Sequence, residues 1–344
     1  MCSSSGRSRS SPRAPAHSRH SCRSSTAGTV GGVKRWGKRI GIGVLALIVA
    51  LTVASVAYNA ATNGEIKPAS ALYRGPFAPV DGRRIAYRTW GRSGTPIVLV
   101  GGFVVPSSVW RKVGPALGRT HRVYALDLPP FGYSERKGPY TLRSWIDLVS
   151  HFDAHFGLRR PIVVGHSLGA AVAVGMALDH QKETRGIVLL DGDALAGGGT
   201  PAWASDFFVS PWYTSVFRLA TSSDWIVRRA LKDAYGPTHP RLDGEALEEW
   251  ERPFKVRGTA AAFRSMLRYG IQGFQLADLR QVRAPTSVVW GGGDTVDSVS
   301  AGRSSARALA APFTLVPGAG HLSMLARPNA VAHAIDRFAA RASR

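Results

Sequence analysis

One serine stands between two glycines, in the pentapeptide Gly-His-Ser-Leu-Gly at residues 165–169. The apolar run Pro161–Val164 precedes this pentapeptide, and the helix-forming run Ala170–Leu178 follows it. A tight turn from a strand into a helix needs small residues on both sides of the residue at its tip. Such a turn presents the tip side chain at the carboxyl end of the strand, beside free helix N–H groups. The pattern predicts that Ser167 is a nucleophile.

A serine hydroxyl becomes a good nucleophile only when a base takes its proton and a third group orients that base. His321 lies on a glycine-rich loop after the apolar run 313–316, and Asp294 follows the run 287–290. We therefore expect His321 to be the base and Asp294 to be its orienting acid. Three other acids stay open as alternatives to Asp294, because they also follow apolar runs: Asp191, Asp193 and Asp297.

An acyl-transfer site also needs two N–H donors for the negatively charged oxygen of its intermediate. The residue after the nucleophile, Leu168, is expected to supply one of them. The loop after the apolar run 97–100 reads Gly101-Gly102-Phe103. The N–H of Phe103 is the best candidate for the second donor.

Several further segments resemble the α/β-hydrolase fold family of esterases, lipases and cofactor-free haloperoxidases. Residues 81–87 resemble the first hairpin of that family, and residues 123–134 resemble its D-x-P-G-x-G-x-S segment. Residues 290–294 and the Gly320-His321 pair match its acid and base motifs, and the chain order Ser…Asp…His is the family's order. The resemblance covers about residues 72–341. It departs from the family where Gly101-Gly102 replaces His-Gly and Pro129-Pro130 replaces Pro-Gly.

The apolar runs at 97–100, 162–164, 187–190 and 287–290 are continuous rather than alternating. Continuous runs are typical of strands that are buried on both faces of a parallel sheet. Helical patterns separate these runs, so we expect a doubly wound α/β domain at residues 72–341. The resemblance implies a mostly parallel sheet of about eight strands.

An insertion at residues 195–278 is expected to form a helical cap over the site. Its aromatic residues are dense, and we expect Trp203, Phe207, Trp212 and Phe217 to line an apolar substrate pocket. In the alternative interpretation these rings only pack the cap onto the core. The more polar segment Ala230–Trp250 is expected to cover the outside of the cap.

The N-terminal residues differ in composition from the rest of the chain. Residues 1–39 contain nine Lys or Arg and no acidic residue, which predicts a disordered basic tail. Residues 40–57 carry no charge over eighteen positions, close to the length that crosses a bilayer. We assign residues 40–58 to a membrane anchor, with the basic flank in the cytoplasm and the catalytic domain outside. A cleaved signal peptide and a secreted enzyme form the alternative.

Charge and composition limit the classes of partner, cofactor and metal that the sequence predicts. The formal net charge of +22 is typical of an Arg-rich composition with solvated surfaces, and attraction to anionic lipids at a nearby membrane is the alternative interpretation. No nucleic-acid recognition motif accompanies the charge. Both cysteines, Cys2 and Cys22, lie in the basic tail. No nucleotide-binding motif occurs, and His151 and His155 have metal-ligand spacing without a companion Glu, so we expect neither cofactor nor metal. The sequence does not indicate an oligomeric state.

We therefore expect a carboxylesterase that acts on small apolar or lipid-like esters through an acyl-enzyme. An acyltransferase, a peptidase, a C–C hydrolase or a cofactor-free haloperoxidase would use the same three residues. A binding protein without catalysis on the same scaffold is the alternative from a different class.

Overall fold

The computed structural model describes residues 29–197, 208–270 and 272–343. It forms two units, the first ending at Val53 and the second spanning Ala54–Arg344. The second unit contains an eight-stranded sheet. The strands are β1 (Phe77–Val80), β2 (Arg83–Trp90), β3 (Pro96–Val100), β4 (Arg122–Leu126), β5 (Ile162–His166), β6 (Gly186–Leu190), β7 (Thr286–Gly291) and β8 (Phe313–Val316).

The strand order is β1-β2-β4-β3-β5-β6-β7-β8. The β1–β2 and β2–β4 pairs are antiparallel, and every pair from β4 to β8 is parallel. All residues of β5 and β6 are buried, because helices cover both faces of the sheet. This is the α/β-hydrolase fold, and the expected doubly wound, mostly parallel sheet is confirmed.

Helices fill most of the remaining described residues. They are α1 (Thr29–Ala61), α2 (Ala69–Leu72), α3 (Val113–Leu117), α4 (Leu142–His155), α5 (Leu168–Asp179), α6 (Tyr213–Thr221), α7 (Asp224–Tyr235), α8 (Gly244–Glu251), α9 (Thr259–Leu267), α10 (Leu276–Leu279), α11 (Val299–Ala308), α12 (Ser323–Ala326) and α13 (Pro328–Ala342). Short 3₁₀ helices span Asn63–Glu65, Ser107–Arg111 and Arg252–Lys255.

Two apolar cores lie on the two faces of the sheet. Helices α4, α5 and α11 contribute buried side chains to one core, and α3 and α13 contribute to the other. Helix α13 shows the underlying pattern, because Val331, Ile335 and Phe338 repeat at helical spacing and are buried. Both layers hold the carboxyl ends of the central strands in fixed positions, where the candidate site lies.

The boundary expected for the disordered tail, at residue 39, is wrong because helix α1 begins before it. Residues 29–39 are helical, while residues 1–28 lie outside the described part of the chain. Helix formation is cooperative, so a long apolar helix extends into flanking Lys and Arg residues, which are good helix formers. Within the stretch Trp36–Glu65, the most apolar eighteen residues have a mean hydropathy of 2.6, and the helix is long and apolar enough to cross a membrane.

The chain between β6 and β7 contains helices α6 to α10. The two ends of this segment meet, because Leu195 and Phe274 form a β-bridge. Two of the aromatic residues expected to line a pocket, Trp203 and Phe207, lie outside the described residues. Helices α6, α7 and α8 provide much of the wall of a cavity that reaches Ser167.

Candidate active site

Ser167 occupies the turn between β5 and α5, with φ +52° and ψ −123°. Gly165 makes this conformation sterically feasible, since a Cβ at that position would lie 2.0 Å from the carbonyl oxygen of Gly169. The Ser167 N–H donates a hydrogen bond of 3.0 Å to the carbonyl of Leu190 on the neighbouring strand. The local sequence and the sheet together hold Ser167 in a strained, half-buried position at the edge of the cavity.

A chain of hydrogen bonds joins three residues that are far apart in sequence. The Ser167 hydroxyl lies 2.9 Å from Nε2 of His321, and Nδ1 of His321 lies 2.9 Å from Oδ2 of Asp294. Because an ionised carboxylate only accepts hydrogen bonds, Nδ1 carries the proton and Nε2 accepts from the serine. The arrangement can remove a proton from Ser167 and leave the positive charge on His321 facing Asp294.

Asp294 is the acid, among the four considered, that hydrogen-bonds to His321. Its other oxygen accepts hydrogen bonds from the N–H groups of Val296 and Asp297, at 2.9 and 3.0 Å. Asp191 instead accepts from the N–H of Gly291 and from Ser323. Oδ1 of Asp193 accepts from the N–H of Leu195. The loop after β7 therefore holds the Asp294 carboxylate in one orientation.

The environment shifts the pKa values of His321 and Asp191. Burial acts to lower the pKa of His321, but the hydrogen bond and negative charge of Asp294, with smaller contributions from other acids, leave the pKa above its ordinary value. Asp191 and Asp297 add to the negative potential at this imidazole. Burial raises the pKa of Asp191 to about 7, despite its hydrogen bond from Ser323. Asp294 is therefore placed to stabilise the imidazolium that forms when His321 takes a proton.

The predicted oxyanion donors lie on the two backbone segments next to Ser167. The N–H of Leu168 is the first of helix α5, so no carbonyl lies one turn earlier in the helix to accept it. The other segment approaches closely at Gly102, where a Cβ would lie 2.6 Å from Cβ of Ser167. Phe103 follows Gly102, and its ring packs edge-on against Phe131 and Phe263. Leu168 and Phe103 remain the predicted donors.

An apolar cavity of about 430 Å³ opens at Ser167 and His321. Helix α7 forms much of its wall, and Trp250 and Phe254 close another side. The lining residues of α7 follow helical spacing: Ile226, Val227, Ala230, Leu231 and Ala234. The expectation that the segment from Ala230 covers the outside of the cap is therefore wrong for this face of α7. The sequence does contain an indication of this face, because the apolar residues of α7 recur at helical spacing within a polar stretch.

Trp212 and Phe217, expected to line the pocket, are not among the described residues that line this cavity. Phe217 packs against Phe254 and Phe263, with ring centroids 5.9 and 5.3 Å apart. It therefore supports the cavity wall from behind. The carbonyl of Trp212 accepts a hydrogen bond from Ser215 at the start of α6. For Phe217, packing of the cap is the better description.

A second cavity of about 300 Å³ also touches Ser167. Its lining includes Asp193, Gln272 and Asp297, so it is more polar than the first cavity in its side chains. Ser167, Phe103 and Val296 belong to both cavities. The nucleophile candidate thus lies between two cavities, of which the second carries more polar side chains.

The two histidines with metal-ligand spacing have other contacts. Nδ1 of His151 lies 2.7 Å from a carboxylate oxygen of Asp81, and the ring of His155 packs edge-on against Phe156. Within the described ranges 29–197, 208–270 and 272–343, no group of three or more His, Cys, Asp or Glu side chains is placed to hold a metal ion.

Comparison with known proteins places this geometry in a family. The model of the alpha/beta hydrolase family matches residues 97–334. The uncharacterized hydrolase YugF of Bacillus subtilis (strain 168) is 25% identical over 263 residues, which cover 75% of this chain and 95% of that protein.

Solved structures show the same fold. A membrane phospholipase A, described as a bacterial virulence factor, has a TM-score of 0.63 and 24% identity, covering 89% of this chain and 99% of its own. A meta-cleavage product hydrolase from Pseudomonas fluorescens IP01 has a TM-score of 0.65 and 18% identity, covering 78% of this chain and 98% of its own. With the family model matching more than half of its residues, the chain belongs to the alpha/beta hydrolase family.

Proposed function

We propose that this protein is a serine carboxylesterase that hydrolyses esters of apolar acyl groups. The observation that carries the proposal is the Ser167–His321–Asp294 hydrogen-bond chain at the wall of an apolar cavity. Nucleophile, base and orienting acid each have a partner at hydrogen-bond distance, as acyl transfer by a serine requires. A serine at the turn also disfavours the dehalogenase and epoxide hydrolase chemistries, which use an aspartate nucleophile on this fold.

In the proposed reaction, Ser167 attacks the ester carbonyl while Nε2 of His321 takes the hydroxyl proton. Asp294 holds the imidazole tautomer and stabilises the imidazolium. The N–H groups of Leu168 and Phe103 bind the negatively charged oxygen of the tetrahedral intermediate. His321 returns the proton to the departing alcohol, and a water molecule activated by His321 then hydrolyses the acyl-enzyme.

The two compartments beside Ser167 support an assignment of the two halves of the substrate. The apolar cavity along α7 suits the acyl chain, because burying each methylene there contributes about 0.8 kcal/mol. The second cavity, with the polar side chains of Asp193, Gln272 and Asp297, suits the alcohol and the entering water. The structural similarity to a membrane phospholipase A supports a lipid-like substrate.

We also propose that residues 40–57 anchor the enzyme in a membrane, with the catalytic domain on the extracytoplasmic side. The support is an uncharged stretch within a long apolar helix, flanked on its N-terminal side by Lys34, Arg35, Lys38 and Arg39.

Hydrolysis of p-nitrophenyl butyrate by the full-length protein in mild detergent tests the esterase proposal. We expect turnover in the wild type and none above background in Ser167→Ala, while the exposed control Ser300→Ala retains wild-type rates. A fluorophosphonate probe should label the wild type at Ser167. If the wild type neither hydrolyses esters nor reacts with the probe, the esterase proposal is wrong and the binding interpretation gains support.

A further inference from the structure

An exposed apolar surface lies on the outside of the two cap helices α6 and α7. It consists of Val216 and Leu219 on α6 and Trp225 and Ile226 on α7, and we call it the α6–α7 surface. Trp225 is 76% exposed and Leu219 is 58% exposed. Grouped large apolar side chains facing solvent are uncommon on monomeric proteins and mark contact with a partner or a membrane.

Helix α6 is bonded to the end of the helix that could cross a membrane. The last turns of α1, from Ala54 to Ala61, belong to the same unit as α6. Oγ of Ser55 lies 2.7 Å from Oγ of Ser215. The Arg218 guanidinium donates to the carbonyl of Asn59 at 2.8 Å and to the hydroxyl of Thr62 at 3.0 Å. Since Ser55, Asn59 and Thr62 lie near the end of the apolar stretch Trp36–Glu65, α6 lies where that stretch would leave a bilayer.

The α6–α7 surface is also continuous with the apolar cavity. Ile226 is exposed on the surface and lines the cavity at the same time. Thr221 and Phe254 line the cavity and also a groove of about 260 Å³, whose other walls include Tyr58, Thr62 and Arg218. Ile226 therefore gives an apolar chain at this surface a contact that leads directly into the cavity at Ser167.

We propose that the α6–α7 surface rests in the interface of the lipid bilayer and that acyl chains pass from the bilayer into the cavity at this surface. The inference rests on the proposed esterase function and adds the source of its substrate. Among the possible partners of this surface, the bilayer is favoured because hydrogen bonds join α6 to the end of a helix that is long enough to cross a membrane. The net charge of +22 fits a surface held against anionic headgroups.

The substitutions Leu219→Asp and Trp225→Asp test this proposal in the full-length chain reconstituted in vesicles of phosphatidylcholine and phosphatidylglycerol. Leu219 and Trp225 are not among the described residues that line the cavity. Leu276→Asp is the matched control, because Leu276 is an exposed apolar residue of α10, away from the α6–α7 surface. Each variant is assayed with a long-chain ester dissolved in the bilayer and with water-soluble p-nitrophenyl acetate.

We expect each α6–α7 variant to lose on the order of tenfold or more in rate with the bilayer ester, since a charge disfavours apolar contact with lipid. Its rate with acetate should stay within twofold of the wild type, and Leu276→Asp should match the wild type with both substrates. Equal losses with both esters would show a structural role for these residues, and unchanged rates with the bilayer ester would exclude membrane contact. Either result overturns the proposal.

Fluorescence provides a readout that does not depend on catalysis. Vesicles with brominated acyl chains quench tryptophans that lie at or within the bilayer, and subtracting the signal of Trp225→Phe from that of the wild type isolates Trp225. We expect the isolated signal to be quenched, whereas an unquenched signal overturns the proposal and leaves a protein partner as the occupant. If acetate is not hydrolysed by the wild type, the esterase proposal fails while quenching still decides membrane contact.

Discussion

The imidazole of His166 donates a hydrogen bond of 2.8 Å to the backbone carbonyl of His321. The two rings lie 5.0 Å apart between centroids, one beside the nucleophile and the other facing it. Complete burial, together with the nearby His321, lowers the pKa of His166 to about 3, so it stays neutral. The pKa of His321 is displaced in the opposite direction, because Asp294, Asp191 and Asp297 together outweigh the effect of burial. His166 therefore holds the loop of His321 in place without titrating in the range where His321 does.

The pH dependence of kcat/KM should follow His321. Only the neutral imidazole accepts the proton of Ser167, so the rate should fall as the pH drops through the pKa of His321. Because that pKa is raised, we expect the midpoint of the acid limb above the ordinary histidine value of about 6.5. Asp294→Asn should move the midpoint to lower pH, since it removes the negative charge that raises the pKa. An unchanged midpoint in Asp294→Asn would contradict the assignment.

Removal of either member of the Ser167–His321 pair should abolish ester hydrolysis. We expect Ser167→Ala and His321→Ala each to lower kcat by on the order of 10⁴-fold or more, and the double variant to lose little beyond that. The reason is that the two side chains act as one unit, with the base useless without its nucleophile. Steady-state assays with p-nitrophenyl butyrate measure these rates. Additive losses in the double variant would show that the residues act independently.

The choice of acid can be tested with a matched pair of substitutions. Asp294→Asn should cost on the order of 10³-fold or more, because an amide beside Nδ1 favours the wrong imidazole tautomer. Asp191→Asn should stay within about tenfold of the wild type, because the amide can still accept from the N–H of Gly291 and donate to the hydroxyl of Ser323, and loses only the 3.3 Å bond from the Ser323 N–H. Measured kcat values that show the reverse order would make Asp191 the functional acid.

The size of the apolar cavity should set the acyl-chain preference. We expect kcat/KM to rise by roughly fourfold per added methylene until the chain fills the cavity of about 430 Å³. Ala230→Phe should shorten the preferred chain, because residue 230 lines the cavity, and should leave acetate hydrolysis nearly unchanged. Trp212→Ala serves as the control and should retain the wild-type chain-length profile. If Trp212→Ala altered the chain-length profile and Ala230→Phe did not, the aromatic residues of the cap, and not helix α7, would line the acyl pocket.

The proposed anchor predicts where the enzyme is found. The full-length protein should remain with the membranes after alkaline extraction, and protease added to intact cells should degrade its catalytic domain. The reason is that the basic flank retains the N-terminal side in the cytoplasm. A soluble protein whose N-terminus lies near Tyr58 or Ala61 would instead show that the segment is a cleaved signal peptide.

Local patterns in the sequence were sufficient to predict the fold and the candidate nucleophile. Continuous apolar runs predicted the central strands within one or two residues, as for β3, β6 and β7, because strands buried on both faces admit few polar residues. The turn at Ser167 was predictable because backbone sterics at Gly165 depend only on residues nearby in the chain. Such features follow from short-range geometry.

Contacts between distant residues were decided by the tertiary structure alone. Asp191 and Asp294 both follow a strand of the sheet, and only the packing of the loops brings one carboxylate to His321 and the other to Ser323. The sequence also could not predict which side chains of the cap face the cavity. Phe217 packs behind the cavity wall, whereas helix α7, which lies in a polar stretch of the sequence, lines the cavity. An amphipathic helix shows which residues share a face, but its docking against the rest of the molecule determines what that face covers.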